Sequence, residues 1–143
     1  RHLADQAAAL GHIQCVANSL ASGGLFLLGL HLTPTKGLPE DEESWSARRG
    51  NLVVNSRMWS TGIDLTRRQE SVSMTFDIYT PTRQFRMAED IVFRTYTARQ
   101  MRDLIGAVPE LEVVQTFDFH YDTSEPIKID ARTEDVVYVL RRR

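Results

Sequence analysis

A layered α/β fold is predicted by three observations. Apolar residues recur every three or four positions from Leu3 to Leu20, a Ser22-Gly23-Gly24 turn stops that pattern, and residues 25–30 (LFLLGL) then run without polar alternation. A strand apolar on both faces is normally covered on both sides, so residues 25–30 are expected in a sheet interior.

The totals narrow the class. A chain of 143 residues is about one domain's worth. With 42% hydrophobic and 25% charged residues its composition is that of a globular protein, and 17 basic against 19 acidic residues argue against nucleic acid as a partner. Only Arg141, Arg142 and Arg143 form a basic run, expected as a solvated tail. No stretch approaches the ~20 apolar residues of a membrane span, and no signal peptide is expected. Cys15 is the one cysteine, which excludes a disulfide framework within the chain and suits a reducing cytoplasm; a buried, inert thiol is expected. The chain starts with Arg1 in place of Met and enters the helical pattern with no capping segment, so Arg1 is expected not to be the native start.

Each element follows from local chemistry. Leu3, Ala7, Leu10, Ile13, Val16, Ala17 and Leu20 mark one face of a helix of about 17 residues. Gly23 and Gly24 supply the positive φ and the close approach that its end requires. Residues 31–50 lose all periodicity and hold two prolines, two glycines and the acidic run 40–43, so a mobile surface loop is expected, either a functional segment or simple disorder. Residues 51–59, 71–79 and 83–94 alternate in part and are rich in β-branched and aromatic residues. They predict an antiparallel meander, with residues 60–70 as a link and Thr80-Pro81-Thr82 as a hairpin turn. Thr97 and Gln100 have capping-box spacing, Met101, Leu104 and Ile105 give the next helix its buried face, and Gly106 with Pro109 closes it. Residues 111–119 and 135–140 are the last two strands, joined by a polar connection.

In this order the residues resemble the class I S-adenosylmethionine-dependent methyltransferases, specifically their C-terminal half. Leu20-Ala21-Ser22-Gly23-Gly24 is similar to the Leu-x-Pro-Gly-Gly turn that leads into the family's fifth strand, with Ser22 in place of the proline. Arg94-Thr95-Tyr96-Thr97 resembles the Arg-x-Tyr-Thr segment before the last helix, and the final strand pair resembles the family's terminal antiparallel hairpin. The resemblance implies a partial Rossmann-like sheet spanning residues 1–143, with residues 51–94 as an antiparallel insert of the kind small-molecule methyltransferases carry. It implies S-adenosylmethionine as cofactor and a small-molecule methyl acceptor. The family's glycine-rich cofactor loop follows its first strand; here Gly23-Gly24 precede a strand, so the cofactor-binding half is expected upstream of Arg1.

Four residues are singled out. His31 follows the apolar run, where ligands collect at the carboxyl edge of an α/β sheet, and is the catalytic candidate as a proton acceptor; a loop histidine without a role is the competing reading. His2 lies where the resemblance places the cofactor pocket, and a frayed terminus competes. Trp59 and Asp64, in the insert, are substrate-binding candidates by stacking and by pairing with an amine, against packing at a strand end. Arg57 and Arg83 on strands read as solvated arginines, and Asp118 and His120 as a strand's exposed face; two such side chains make no metal site. A non-enzymatic α/β interaction or dimerisation module is the alternative function. On either reading the unpaired edge of residues 25–30 predicts a homo-oligomer or pairing with the missing N-terminal half.

Overall fold

The computed structural model describes residues 1–37 and 42–143. In chain order the elements are α1 (Gln6–Ser19), β1 (Leu25–His31), β2 (Glu42–Arg49), β3 (Leu52–Asp64), β4 (Gln69–Tyr79), β5 (Gln84–Arg94), α2 (Ala98–Gly106), β6 (Leu111–Phe117) and β7 (Asp135–Arg142). The chain forms two compact units: His2 with the described residues of 40–94, and the remainder.

In the helical unit, α1 begins after Asp5, whose carboxylate accepts from the Ala8 amide at 2.8 Å. The expectation of an uncapped start is thereby corrected: residues 3–5 precede the helix and Leu3 is exposed. Ala9, Ile13 and Ala17 are buried in a stripe narrower than the spacing predicts. Cys15 sits two residues from Ile13, about 200° around the helix, and is exposed, contrary to the buried thiol expected.

The glycine turn behaves as the sequence predicts. Gly23 has φ +78°, and a Cβ on Gly24 would stand 2.8 Å from the Ala21 carbonyl oxygen. Gly23 donates its amide to the Arg142 carbonyl at 2.8 Å and the Arg142 amide answers to the Gly24 carbonyl at 2.9 Å, which ties the turn to β7. The Arg142 guanidinium donates to the Ala17 carbonyl in the last turn of α1, where helix carbonyls lack partners. Arg141 pairs with Glu112 on β6. Arg141 and Arg142 therefore complete a strand and are no solvated tail, and the Arg143 amide after them donates to the Glu110 carbonyl at 2.9 Å.

The sheet of this unit has the order β1-β7-β6, antiparallel throughout. Its middle strand carries the core: Val136 and Leu140 are fully buried, and Tyr138 packs with them against Ala9, Ile13, Ala17 of α1 and Met101, Leu104, Ile105 of α2. The open edge expected of residues 25–30 is present: among the described residues β1 has a neighbour on one side only, and while Phe26, Leu28 and Leu30 face the core, Leu25 and Leu27 are 57% and 64% exposed. Within the described residues α1 and α2 cover one sheet face, so the second apolar face of β1 has no cover there. Residues 32–37 are anchored, contrary to a mobile loop: the Thr33 amide donates to the Tyr96 carbonyl and those of Thr35 and Lys36 to Ala131.

The capping box of α2 is present in both directions, with the Thr97 amide 2.9 Å from Gln100 Oε1 and the Gln100 amide 3.3 Å from Thr97 Oγ1. β6 stops at Phe117. Asp118 accepts from the His120 amide at 2.9 Å, so both polar residues belong to a turn and not to an exposed strand face.

Burial of Tyr138 has a consequence for alkaline stability. At 4% exposure its hydroxyl pKa rises from 10 to about 12, because burial disfavours the phenolate. The folded state thus holds this proton more tightly than the unfolded chain; the contribution is full below pH 10 and disappears as pH climbs toward 12. We expect about 2 kcal/mol to be lost across that window and the loss to be absent in Tyr138→Phe. Denaturant melts of both proteins at pH 9 and 11.5 check it; parallel losses would refute the assignment.

The sheet unit has the order β2-β3-β4-β5, three successive antiparallel hairpins. The turn at Thr80 is as expected, with the Thr80 amide donating to the Arg83 carbonyl at 2.8 Å. β2 was not expected: residues 42–49 (EESWSARR) are too polar to read as a strand, yet they form the outer edge of the sheet, turned back by Gly50 at φ +59° and Asn51. The acidic residues Glu40 and Asp41 of the predicted loop lie outside the described residues. The link predicted at 60–70 is also shorter, since β3 runs on to Asp64 through a bulge between Ser60 and Gly62, and Arg68 at φ 57° turns the chain into β4. Register sorts the side chains onto two faces. One is polar, with Glu42 paired to Arg57, Asp77 to Arg86, Ser46 to Asn55 and Ser73 to Asp90. The other is apolar, its rows including Trp45-Ser56-Phe76-Met87 and Ala47-Val54-Ile78-Phe85.

Candidate functional site

The helical unit brings a histidine and a carboxylate together where β1 ends. His31 is the last residue of β1 and Asp135 the first of β7; the antiparallel register places them opposite one another, with His31 Nδ1 2.7 Å from Asp135 Oδ1. An imidazole held by a carboxylate at Nδ1 is fixed in orientation and presents Nε2 outward as the acceptor. Among the described residues Nε2 meets no hydrogen-bond partner, and the side chain is 30% exposed. Phe119 meets the imidazole edge to face at 5.1 Å, and Tyr121 stacks on Phe119 at 5.9 Å with ring planes 3° apart. Tyr121 is itself in the left-handed region, φ 57°, an uncommon conformation for an aromatic residue. An oriented base beside an aromatic wall can take a proton from a hydroxyl or amine held against that wall.

Sequence reasoning singles out His31 and does not single out Asp135, Phe119 or Tyr121, which the structure places beside it. Asp135 opens the run DVVYVL, and only the strand register shows that it faces His31.

The other candidates lie in the sheet unit. Trp59 is on β3, as the strand predicted at 51–59 requires, under the Arg57 guanidinium at 5.2 Å. It lines a hollow of about 340 Å³ on the polar face together with Asn55, Thr75, Asp77 and Arg86. Arg57 is no isolated solvated cation: its Nε and Nη2 donate to Glu42 Oε1 and Oε2, both at 2.7 Å, and this holds the Glu42 carboxyl below its ordinary pKa; Arg86 does the same for Asp77. Asp64, the last residue of β3, accepts from the Arg67 amide at 2.9 Å and so closes the turn into β4. Arg83 lies over Phe85 at 5.2 Å. His2 meets Phe93 edge to face at 4.9 Å.

A dinucleotide-type cofactor cradle needs glycine amides free to point at the ligand. Gly23 and Gly24 do not offer them: their amides donate to Arg142 and to Ala21, both at 2.8 Å. The one glycine-glycine turn of the chain therefore does not fit S-adenosylmethionine. No helix of the described residues is long and apolar enough to cross a membrane.

No family model matches the sequence. No curated protein matches it either. Solved structures do match by fold. An S-adenosylmethionine-dependent methyltransferase from Clostridium acetobutylicum superposes with a TM-score of 0.68 at 15% identity, over 99% of this chain and 53% of its own. DesVI from Streptomyces venezuelae gives 0.68 at 12% identity, over 96% and 52%. CalS10, an amino pentose methyltransferase from Micromonospora echinaspora solved with S-adenosylmethionine bound, gives 0.65 at 13% identity, over 97% and 52%. The chain spans about half the length of the structures it matches. Its fold is one half of that methyltransferase fold, and its elements run in the order expected of the C-terminal half.

Proposed function

We propose that this chain is part of an enzyme that transfers a methyl group from S-adenosylmethionine to a small-molecule acceptor. The observation that carries the reading is the fold match along 99% of the chain to a methyltransferase, and the His31–Asp135 pair at the end of β1 gives it a reactive group. The cofactor supplies an electrophilic methyl group and is bound mainly by residues outside these 143. His31 Nε2 accepts the proton that the acceptor atom gives up, while Asp135 holds the ring and stabilises the imidazolium. Phe119 and Tyr121 form a wall against which the acceptor is positioned, which is the larger part of what methyl transfer requires. Trp59 stacks on the acceptor, Asp64 offers its carboxylate to an amine, and His2 contacts the cofactor or the acceptor.

Calorimetry with S-adenosylmethionine tests the reading. Micromolar binding by the longest natural form of the protein, and none by these 143 residues alone, is the expected result. No binding by either sinks it and leaves the non-enzymatic module, for which the apolar face of the β2-β3-β4-β5 sheet is the supporting observation.

A further inference from the structure

A second hollow, of about 730 Å³, lies in the helical unit between α2 and the β6–β7 side of its sheet. That volume falls within the roughly 300–1,000 Å³ of small-molecule sites. The sequence explains why the space is open. Ala98, Arg102 and Gly106 are spaced by four and share the flank of α2 that lines the hollow. Alanine and glycine fill little of it, and a Cβ on Gly106 would meet no atom beyond its own helix within 4 Å. The buried residues of α2 are Met101, Leu104 and Ile105. Across from the helix, Thr116 of β6 stands beside Tyr138 of β7 and Val113 beside Leu140, with a bulge between Val113 and Gln115. Bulges of this kind occur at sheet edges and beside sites, where they re-aim side chains.

The polar side chains left free in the hollow are donors. Tyr138 is 4% exposed, and its hydroxyl meets no hydrogen-bond partner among the described residues. Burial keeps that hydroxyl protonated, its pKa pushed up to about 12, and the Arg102 charge acts on it, so the two groups lie in one region. Among the described residues no carboxylate stands within ion-pair distance of Arg102; Asp103, next to it in sequence, pairs with Arg99 at 3.9 Å. The other polar groups are already engaged. Thr116 Oγ1 donates to the Ile127 carbonyl at 2.7 Å, and the carboxylate of Glu112 pairs with both Arg141 and Arg143. Ile105, Val113 and Ile129 supply apolar lining. A buried hydroxyl without an acceptor and an unpaired guanidinium, set beside apolar side chains, match an anionic acceptor carried on an apolar body.

We propose that this hollow is a binding site for a small carboxylate with an apolar body, its carboxylate accepting from Arg102 and Tyr138 and its body lying against Ile105, Val113 and Ile129. The site is separate from the His31–Asp135 pair, since Tyr138 is three residues along β7 from Asp135, about 10 Å. Ile129 belongs to the β6–β7 connection that also carries Phe119 and Tyr121, so the occupant rests on the segment that forms the wall at His31.

Calorimetry on the longest natural form of the protein tests this with naphthoate and its neutral counterpart naphthamide as probes. The expected result is saturable one-to-one binding of naphthoate with a dissociation constant below about 1 mM, and binding of naphthamide at least about tenfold weaker. Arg102→Met keeps the apolar stem and is expected to weaken naphthoate by at least about tenfold; Tyr138→Phe, which keeps the ring, by about fivefold. Gly106→Leu places a side chain in the open space and should abolish binding while the thermal melt stays cooperative. His31→Asn should bind naphthoate as wild type does. No saturation by about 10 mM overturns the proposal. So does an Arg102→Met variant that binds as wild type, equal affinity for the two probes, or loss of binding in His31→Asn, which would assign the probe to the other site. None of these outcomes bears on S-adenosylmethionine binding, so the methyl-transfer reading stands or falls separately.

Discussion

Replacing His31 with Asn in the longest natural form of the protein is expected to lower kcat for methyl transfer by about a hundredfold or more, with KM little changed. The estimate is the lower end of what a positioned general base contributes. Asparagine keeps a polar side chain opposite Asp135 and removes the basic nitrogen, so the sheet edge should survive while proton transfer does not. Asp135→Asn is expected to cost about tenfold, because it leaves the imidazole in place and removes only the group that orients it. His2→Asn is expected to act on KM. The assignment fails if His31→Asn keeps activity within about threefold of wild type, or if the collapse of kcat follows His2→Asn instead.

The second large effect is on stability. Leu140 is 0% exposed in the middle strand of its sheet, opposite Phe26 of β1 and Val113 of β6, with the two helices over it. Truncation to Ala removes three buried carbons and leaves a void that two strands and two helices cannot easily fill, so about 3 kcal/mol is expected, or roughly 10 °C in Tm for a chain of this size. Leu27→Ala is the matched control. The same chemical change at a side chain 64% exposed should cost about 0.5 kcal/mol or less in this chain. Thermal and denaturant melts of the pair decide it, and equal losses would show that the core does not lie on the helix-covered face of β7.

Much of the fold is legible in local patterns because its devices are local. The Gly23-Gly24 turn, the Thr97/Gln100 box and the Thr80 hairpin each rest on residues within four positions of one another, and each is found where the sequence predicts. What escaped depends on neighbours distant in sequence. β2 is polar along most of its length, and it is a strand because Leu52 to Trp59 lie beside it in register. Apolar residues on both sides of β1 correctly signal two apolar faces, but pattern cannot say whether both covers belong to the same stretch of chain. The site divides in the same way: His31 is visible as the residue after an apolar run, whereas its partner Asp135 is about a hundred residues away and is found only through the β1/β7 pairing.

That separation also bears on how the chain folds. The pairing of β1 with β7 closes a loop of about a hundred residues, and the core cannot form until it is closed. The intervening strands β2 to β5 are joined only by tight hairpins, so their contacts are close in sequence and their loop-closure cost is small. Once those hairpins have formed, part of the chain between β1 and β7 is no longer free coil, and the search for their partner is shortened. The segment that interrupts the α/β unit in sequence is thus cast as its folding aid: weakening a β2–β5 hairpin turn should slow formation of the other unit before it changes that unit's final stability.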